Sequence, residues 1–94
     1  MNSQLIKKLK QMLRGSGYRI YAHSSGCNGS LSEITMHRKY EDCGYDELII
    51  SIRENYVSKN VYEPVDDILY GSDLMIDDVL LCAEIIKEIR GENE

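Results

Sequence analysis

The chain contains no Trp and no Phe, a single Pro and only three Cys. Cys27, Cys43 and Cys82 are an odd set without CxxC spacing, which argues against a disulfide framework, and Cys82 falls in an apolar helical pattern where a thiol behaves as a small hydrophobe. Apolar runs such as Val79 to Ala83 fall far short of the roughly 20 residues that cross a bilayer, so no membrane contact is expected. The opening Met1-Asn2-Ser3-Gln4 leads into a lysine-rich amphipathic stretch without the features of a secretory signal, and the expected location is the cytoplasm. The phosphate-loop and dinucleotide-binding glycine patterns are both missing, so no nucleotide cofactor is expected.

What is present is enough for one small domain spanning residues 1–94. Apolar residues make up 43%, sufficient to offset the ordering entropy of a folded chain. The net charge of −5 is unevenly spread. Residues 1–53 hold eight Lys and Arg against five Asp and Glu, whereas 54–94 hold three against eleven, a balance of +3 and −8.

Leu5, Ile6, Leu9, Met12 and Leu13 repeat at helical spacing, with Lys7, Lys8, Lys10 and Arg14 on the other side. Asn2 or Ser3 suits the cap and Gly15 the stop. Alternation then predicts strands over Tyr18–Ser24, Leu31–Lys39 and Asp46–Arg53, separated by the 24–30 loop and a turn at Glu41-Asp42-Cys43-Gly44. Residues 54–63 carry two short β-prone pieces and stay undecided between a hairpin and irregular chain. Pro64 suits a helix start, giving a short helical segment over Val65–Tyr70 that Gly71 ends. A final helix follows, capped by Ser72 or Asp73 and running to Arg90, with Met75, Val79, Cys82, Ile86 and Ile89 inward, broadened by Leu81 and Ile85. The expected fold is α+β: an N-terminal helix, a three-stranded antiparallel sheet and a C-terminal helix packed on it.

No catalytic or metal-binding residues are expected. His23 and Cys27 would sit at one end of the first hairpin and His37 and Cys43 at the other, roughly 15–20 Å away at 3.3 Å per residue, whereas zinc holds its ligands within about 2.3 Å. His23 and Cys27 alone lack a third, orienting group. The element order resembles that of double-stranded RNA-binding domains, yet the last helix opens with Asp73, Asp77 and Asp78 where phosphate binding needs cations, so no direct nucleic-acid partner is expected. Lys7, Lys8, Lys10 and Arg14 read as the solvated side of the first helix.

At 100° per residue Asp73, Asp77, Glu84 and Glu88 fall within about 60° of one another, a carboxylate stripe along about 22 Å of the last helix. Asp66 and Asp67 add charge at its leading end, and Leu80 and Ile76 lie beside it. Asp78 lies about 40° from Cys82, where the helix dipole alone favours a carboxylate and Arg19, Arg38 or His23 offers a cation. The seven tyrosines supply rings that also carry a hydroxyl, and Tyr56, Tyr62 and Tyr70 surround the most acidic segment.

A small acidic chain opening with Leu5-Ile6-Lys7-Lys8-Leu9, followed by strands and acid-rich helices, resembles the small anti-CRISPR proteins of phages in architecture and charge. The resemblance implies an inhibitor whose carboxylates imitate nucleic acid and occupy a basic groove of a Cas effector. The implied partner-binding residues are Asp66, Asp67, Asp73, Asp77, Asp78, Glu84 and Glu88, with Leu80 or Tyr70 as apolar anchor and no cofactor. The alternative reading is a structural or accessory module that associates with a second copy of itself.

Overall fold

The computed structural model describes residues 3–93. Helix α1 spans Ser3–Met12 and buries Leu5 and Leu9, one turn apart, with Leu13 continuing the row just past its end. Asn2, the other expected cap, lies outside the described residues. Gly15 takes the left-handed conformation expected of it (φ 82°), and the Ser16 hydroxyl donates to Leu13 O at 2.6 Å to close the turn. Gly17 is left-handed as well (φ 83°), and a Cβ there would come within 3.0 Å of Arg38 Cδ, so both backbone and space require glycine.

The sheet has five strands, where three are expected from sequence: β1 Arg19–Ser25, β2 Leu31–Lys39, β3 Tyr45–Ser51, β4 Tyr56–Glu63 and β5 Ile68–Ser72. They pair antiparallel in chain order, β1-β2-β3-β4-β5. The undecided segment is one strand, because Ser58, Lys59 and Asn60 pair with Ile49, Leu48 and Glu47 of the apolar β3 without a break. The short helix expected over Val65–Tyr70 does not form. Asp67 turns left-handed (φ 49°), its N–H donates to Pro64 O at 3.2 Å, and the chain folds back so that Ile68–Ser72 pair with β4. A full row of ladder hydrogen bonds outweighs the weak preference of Pro for a helix start.

Ile34, Met36, Leu48 and Ile50 share one face of the sheet and are buried with Leu5, Leu9 and Leu13 and with Cys82, Ile85 and Ile89 of helix α2, Ile76–Asn93. Each such aliphatic side chain contributes about 1.5–3 kcal/mol when removed from water. α2 packs across β3 and beside α1, and Lys8 of α1 pairs with Glu88 of α2. Every residue of β5 is exposed, so the far edge of the sheet lies beyond the cover of the helices. A bulge at Tyr21 shifts the register of β1, which puts Ala22 opposite Thr35 and turns His23 to the side of Ile34, reversing the alternation expected there.

α2 starts four residues after Ser72. Met75 acts as its cap residue and its carbonyl receives the first helical bond from Val79 N at 3.0 Å. Its inward stripe is Asp78, Cys82, Ile85 and Ile89, and the expected inward residues Met75 and Val79 are exposed instead. No helix among the described residues is long and apolar enough to cross a membrane.

Candidate functional site

Three polar or exposed regions stand out above this frame. The first is buried between α2 and the sheet. Asp78 sits three residues into the helix on the inward side, where its Oδ2 accepts from Lys59 Nζ at 2.8 Å and from Met75 N at 3.1 Å, and its Oδ1 accepts from Tyr18 Oη at 3.2 Å. The Met75 contact is the return half of a capping box, with Asp in the place usually taken by Glu. Burial works against the charged carboxylate, but Lys59, the Met75 N–H and the Tyr18 hydroxyl outweigh it and hold Asp78 below the ordinary carboxylate value. Burial pushes the Tyr18 phenol upward, and the Arg38 guanidinium lies 4.6 Å from its ring centre. Arg38 Nη2 in turn donates to Asp46 Oδ2 at 2.7 Å, and Tyr40 also bonds Asp46. The Asp78 end of this network, with Lys59, Met75 N and Tyr18 around the carboxylate, is paired and buried, which suits a structural clamp between helix and sheet, whereas Arg38 Nε at the other end is buried without a partner among the described residues.

The second region is the sheet face opposite the helices. Tyr21, His37, Tyr45 and Tyr62, from four successive strands, stack as a column with ring centres 4.1, 4.4 and 5.1 Å apart. Register places them in a row: His37 on β2 lies two residues from Lys39, the pairing partner of Tyr45, and so on the same face, and Tyr45 is directly opposite Tyr62. His37 Nε2 lies 2.8 Å from Glu47 Oε2, and Asn60 Nδ2 donates to Glu47 Oε1 at 3.0 Å, which fixes the imidazole in place.

The third region is the corner formed by β5 and the start of α2. Ile76 and Leu80 are 78% and 60% exposed, with Met75 and Val79 exposed beside them; Ile68 and Tyr70 are exposed on β5, and Leu69, paired with Tyr62, is exposed on the opposite face of the sheet. Asp77 and Glu84 are exposed on α2 beside Leu80, Asp73 is exposed in the chain just before the helix, and none of them is paired with a cation among the described residues. On the helix, Asp77, Leu80 and Glu84 line up over about 10 Å.

The structure thus divides the residues singled out from sequence. Asp77, Glu84 and Leu80 share one exposed side of α2, Asp73 is exposed in the chain before the helix and not on it, and Asp66 is exposed in the turn before β5. Asp67 accepts from Tyr62 Oη at 2.8 Å, and Glu63 accepts from Tyr70 Oη at 2.6 Å; each bond raises the phenol concerned. Asp78 is only 3% exposed, and its cation is Lys59, not Arg19, Arg38 or His23. Glu88 turns toward α1 and Lys8. The 22 Å stripe therefore contracts to its leading half.

Sequence reasoning missed the apolar half of this corner, because Met75 and Val79 read as core and β5 read as helix. The signal that was available is Ile68-Leu69-Tyr70, three β-prone residues between an Asp-rich turn and Gly71. Among the described residues no three His, Cys, Asp or Glu side chains converge as metal ligands would. Comparison with protein-family models, with curated proteins and with solved structures finds no match to this chain.

Proposed function

We propose that this chain is a non-enzymatic, protein-binding inhibitor that docks the β5–α2 corner on a basic, nucleic-acid-handling surface of its partner. The observation that supports it is the exposure of Ile76 and Leu80 next to Asp73, Asp77 and Glu84, with no cation of the chain itself neutralising those carboxylates among the described residues. Unpaired carboxylates steer the protein toward a positive surface and set its orientation. The apolar side chains supply affinity, about 1.5–3 kcal/mol for each that is fully buried on the partner. The likeness to small phage anti-CRISPR proteins makes the basic groove of a Cas effector the first partner to test, with the carboxylates standing in for phosphate. It acts in the cytoplasm, where the free thiols Cys27, Cys43 and Cys82 stay reduced.

A second reading, self-association into a homodimer, is favoured by β5, an edge strand with Ile68, Leu69 and Tyr70 exposed. Affinity capture with the wild type and an Asp73→Lys/Asp77→Lys/Glu84→Lys variant, at low and moderate salt, separates the two. A basic protein held by the wild type, released by salt and lost by the variant is the expected result. Sedimentation showing equal dimerisation of both proteins, with no heterologous partner, sinks the inhibitor reading and leaves the homodimer.

A further inference from the structure

The positive half of the chain is brought together by the fold in a way its sequence spacing conceals. Two contiguous clefts, both open to solvent, lie where the end of α1 meets β1 and β2, and they share Gly17, Arg19 and Ile20 as lining. Lys10 and Arg14 line one side, Lys39 lines the other, and Arg19 stands between them. All four cations are exposed, none pairs with a carboxylate among the described residues, and no Asp or Glu lines either cleft. This is an unneutralised cluster on a protein of net charge −5. The free end of the aromatic column reaches the same place: Tyr21 lies on the edge strand, 69% exposed, with one ring face on His37 and a second ring face without a neighbour in the stack.

We infer that this basic cleft binds single-stranded nucleic acid, with a base stacked on the free face of Tyr21 and the flanking phosphates on Lys10, Arg14, Arg19 and Lys39. Cations that follow a backbone beside a ring that extends a stack are the two elements that sequence-tolerant single-strand binding requires. His37, held by Glu47, backs Tyr21 so that the platform is set before a base arrives. The clefts are open and continuous instead of enclosing, which suits a strand running through more than a free nucleotide, whose sites bury most of the ligand. A duplex offers no unstacked base to Tyr21. The inference is independent of the β5–α2 corner, since Asp73, Asp77 and Glu84 line neither cleft.

Fluorescence anisotropy with labelled oligothymidylate and oligouridylate dodecamers tests it, with AMP, inorganic phosphate and a duplex of the same length as competitors. With four phosphate contacts, the logarithm of affinity should fall by about 3 per tenfold rise in salt. Arg14→Ala/Arg19→Ala should weaken binding at least tenfold and lower that slope by about 1.4. Tyr21→Ala should weaken it roughly tenfold while leaving the slope unchanged, as loss of stacking alone would. All three side chains are exposed, so the variants should keep the wild-type circular dichroism. Absence of binding at about 50 mM salt, unchanged affinity in the arginine pair variant, or displacement by AMP, phosphate or duplex as readily as by unlabelled strand would each overturn it. The Asp73→Lys/Asp77→Lys/Glu84→Lys variant should still bind the strand, so loss of a protein partner and loss of strand binding are read separately.

Discussion

Asp77 and Asp78 are neighbours in the chain and opposites in the fold. Asp77 projects into solvent beside Leu80, while Asp78 is 3% exposed beneath α2, with Lys59, Tyr18 and Met75 around its oxygens. One step of about 100° on a helix separates a carboxylate free to meet another molecule from one that fastens the helix to its sheet. Residue type says little about role here, and the element packed on each side says most of it.

The largest effect should come from breaking the inner side. Lys59→Met leaves the Asp78 carboxylate buried without its cation, and a loss of about 3–5 kcal/mol is expected in urea unfolding. Acid offers a milder version of the same break. Because the folded-state value of Asp78 is depressed, its contribution is complete above the ordinary value of 3.8 and is lost as pH falls through the lower folded value. Subtracting the unfolding free energy of Asp78→Asn from that of the wild type across pH 2 to 6 should give a difference that is largest at the upper end and shrinks below about pH 4. A difference that grew with acidity would contradict the depressed carboxylate.

Tyr18→Phe removes one hydroxyl from the same carboxylate while keeping the ring under Arg38, and should cost about 1 kcal/mol. Away from the buried carboxylate the scale drops again. Lys8→Ala breaks an exposed ion pair with Glu88 and should cost under about 1 kcal/mol, and Asp77→Asn should lie within about 0.5 kcal/mol of zero. If Asp77→Asn rivalled Lys59→Met, the contrast between the two neighbours would be lost.

The same contrast shows what was legible in the sequence. α1, its glycine stop and β2 were readable because local signals decide them: Leu5, Leu9 and Leu13 recur at helical spacing, and Leu31–Lys39 is bounded by turn residues. β5 was not readable, since Pro64 and Asp66-Asp67 are as good a helix opening as a turn, and only pairing with β4 decides between them. Of the proposed site, exposure of Asp77, Leu80 and Glu84 followed from helical angle alone, whereas Asp73, expected on the helix, is exposed in the chain before it. The partners of Asp78 and Glu88 did not, because Lys59 and Lys8 stand 19 and 80 residues away along the chain and no periodicity records such pairs. The basic cleft was hidden for the same reason: Lys10 and Arg14 look like one solvated helix side until β1 and β2 bring Arg19 and Lys39 to them.

The strands of the meander each pair with the one before, so the sheet can assemble in the order in which it is synthesised. The helices cannot. Leu5, Leu9 and Leu13 share their core with Cys82, Ile85 and Ile89, so α1, made before the sheet, must wait for α2, made after it, before its apolar side is sealed. During translation the apolar face of the sheet stays partly open until α2 has emerged, and that interval is when a chaperone would have something to hold.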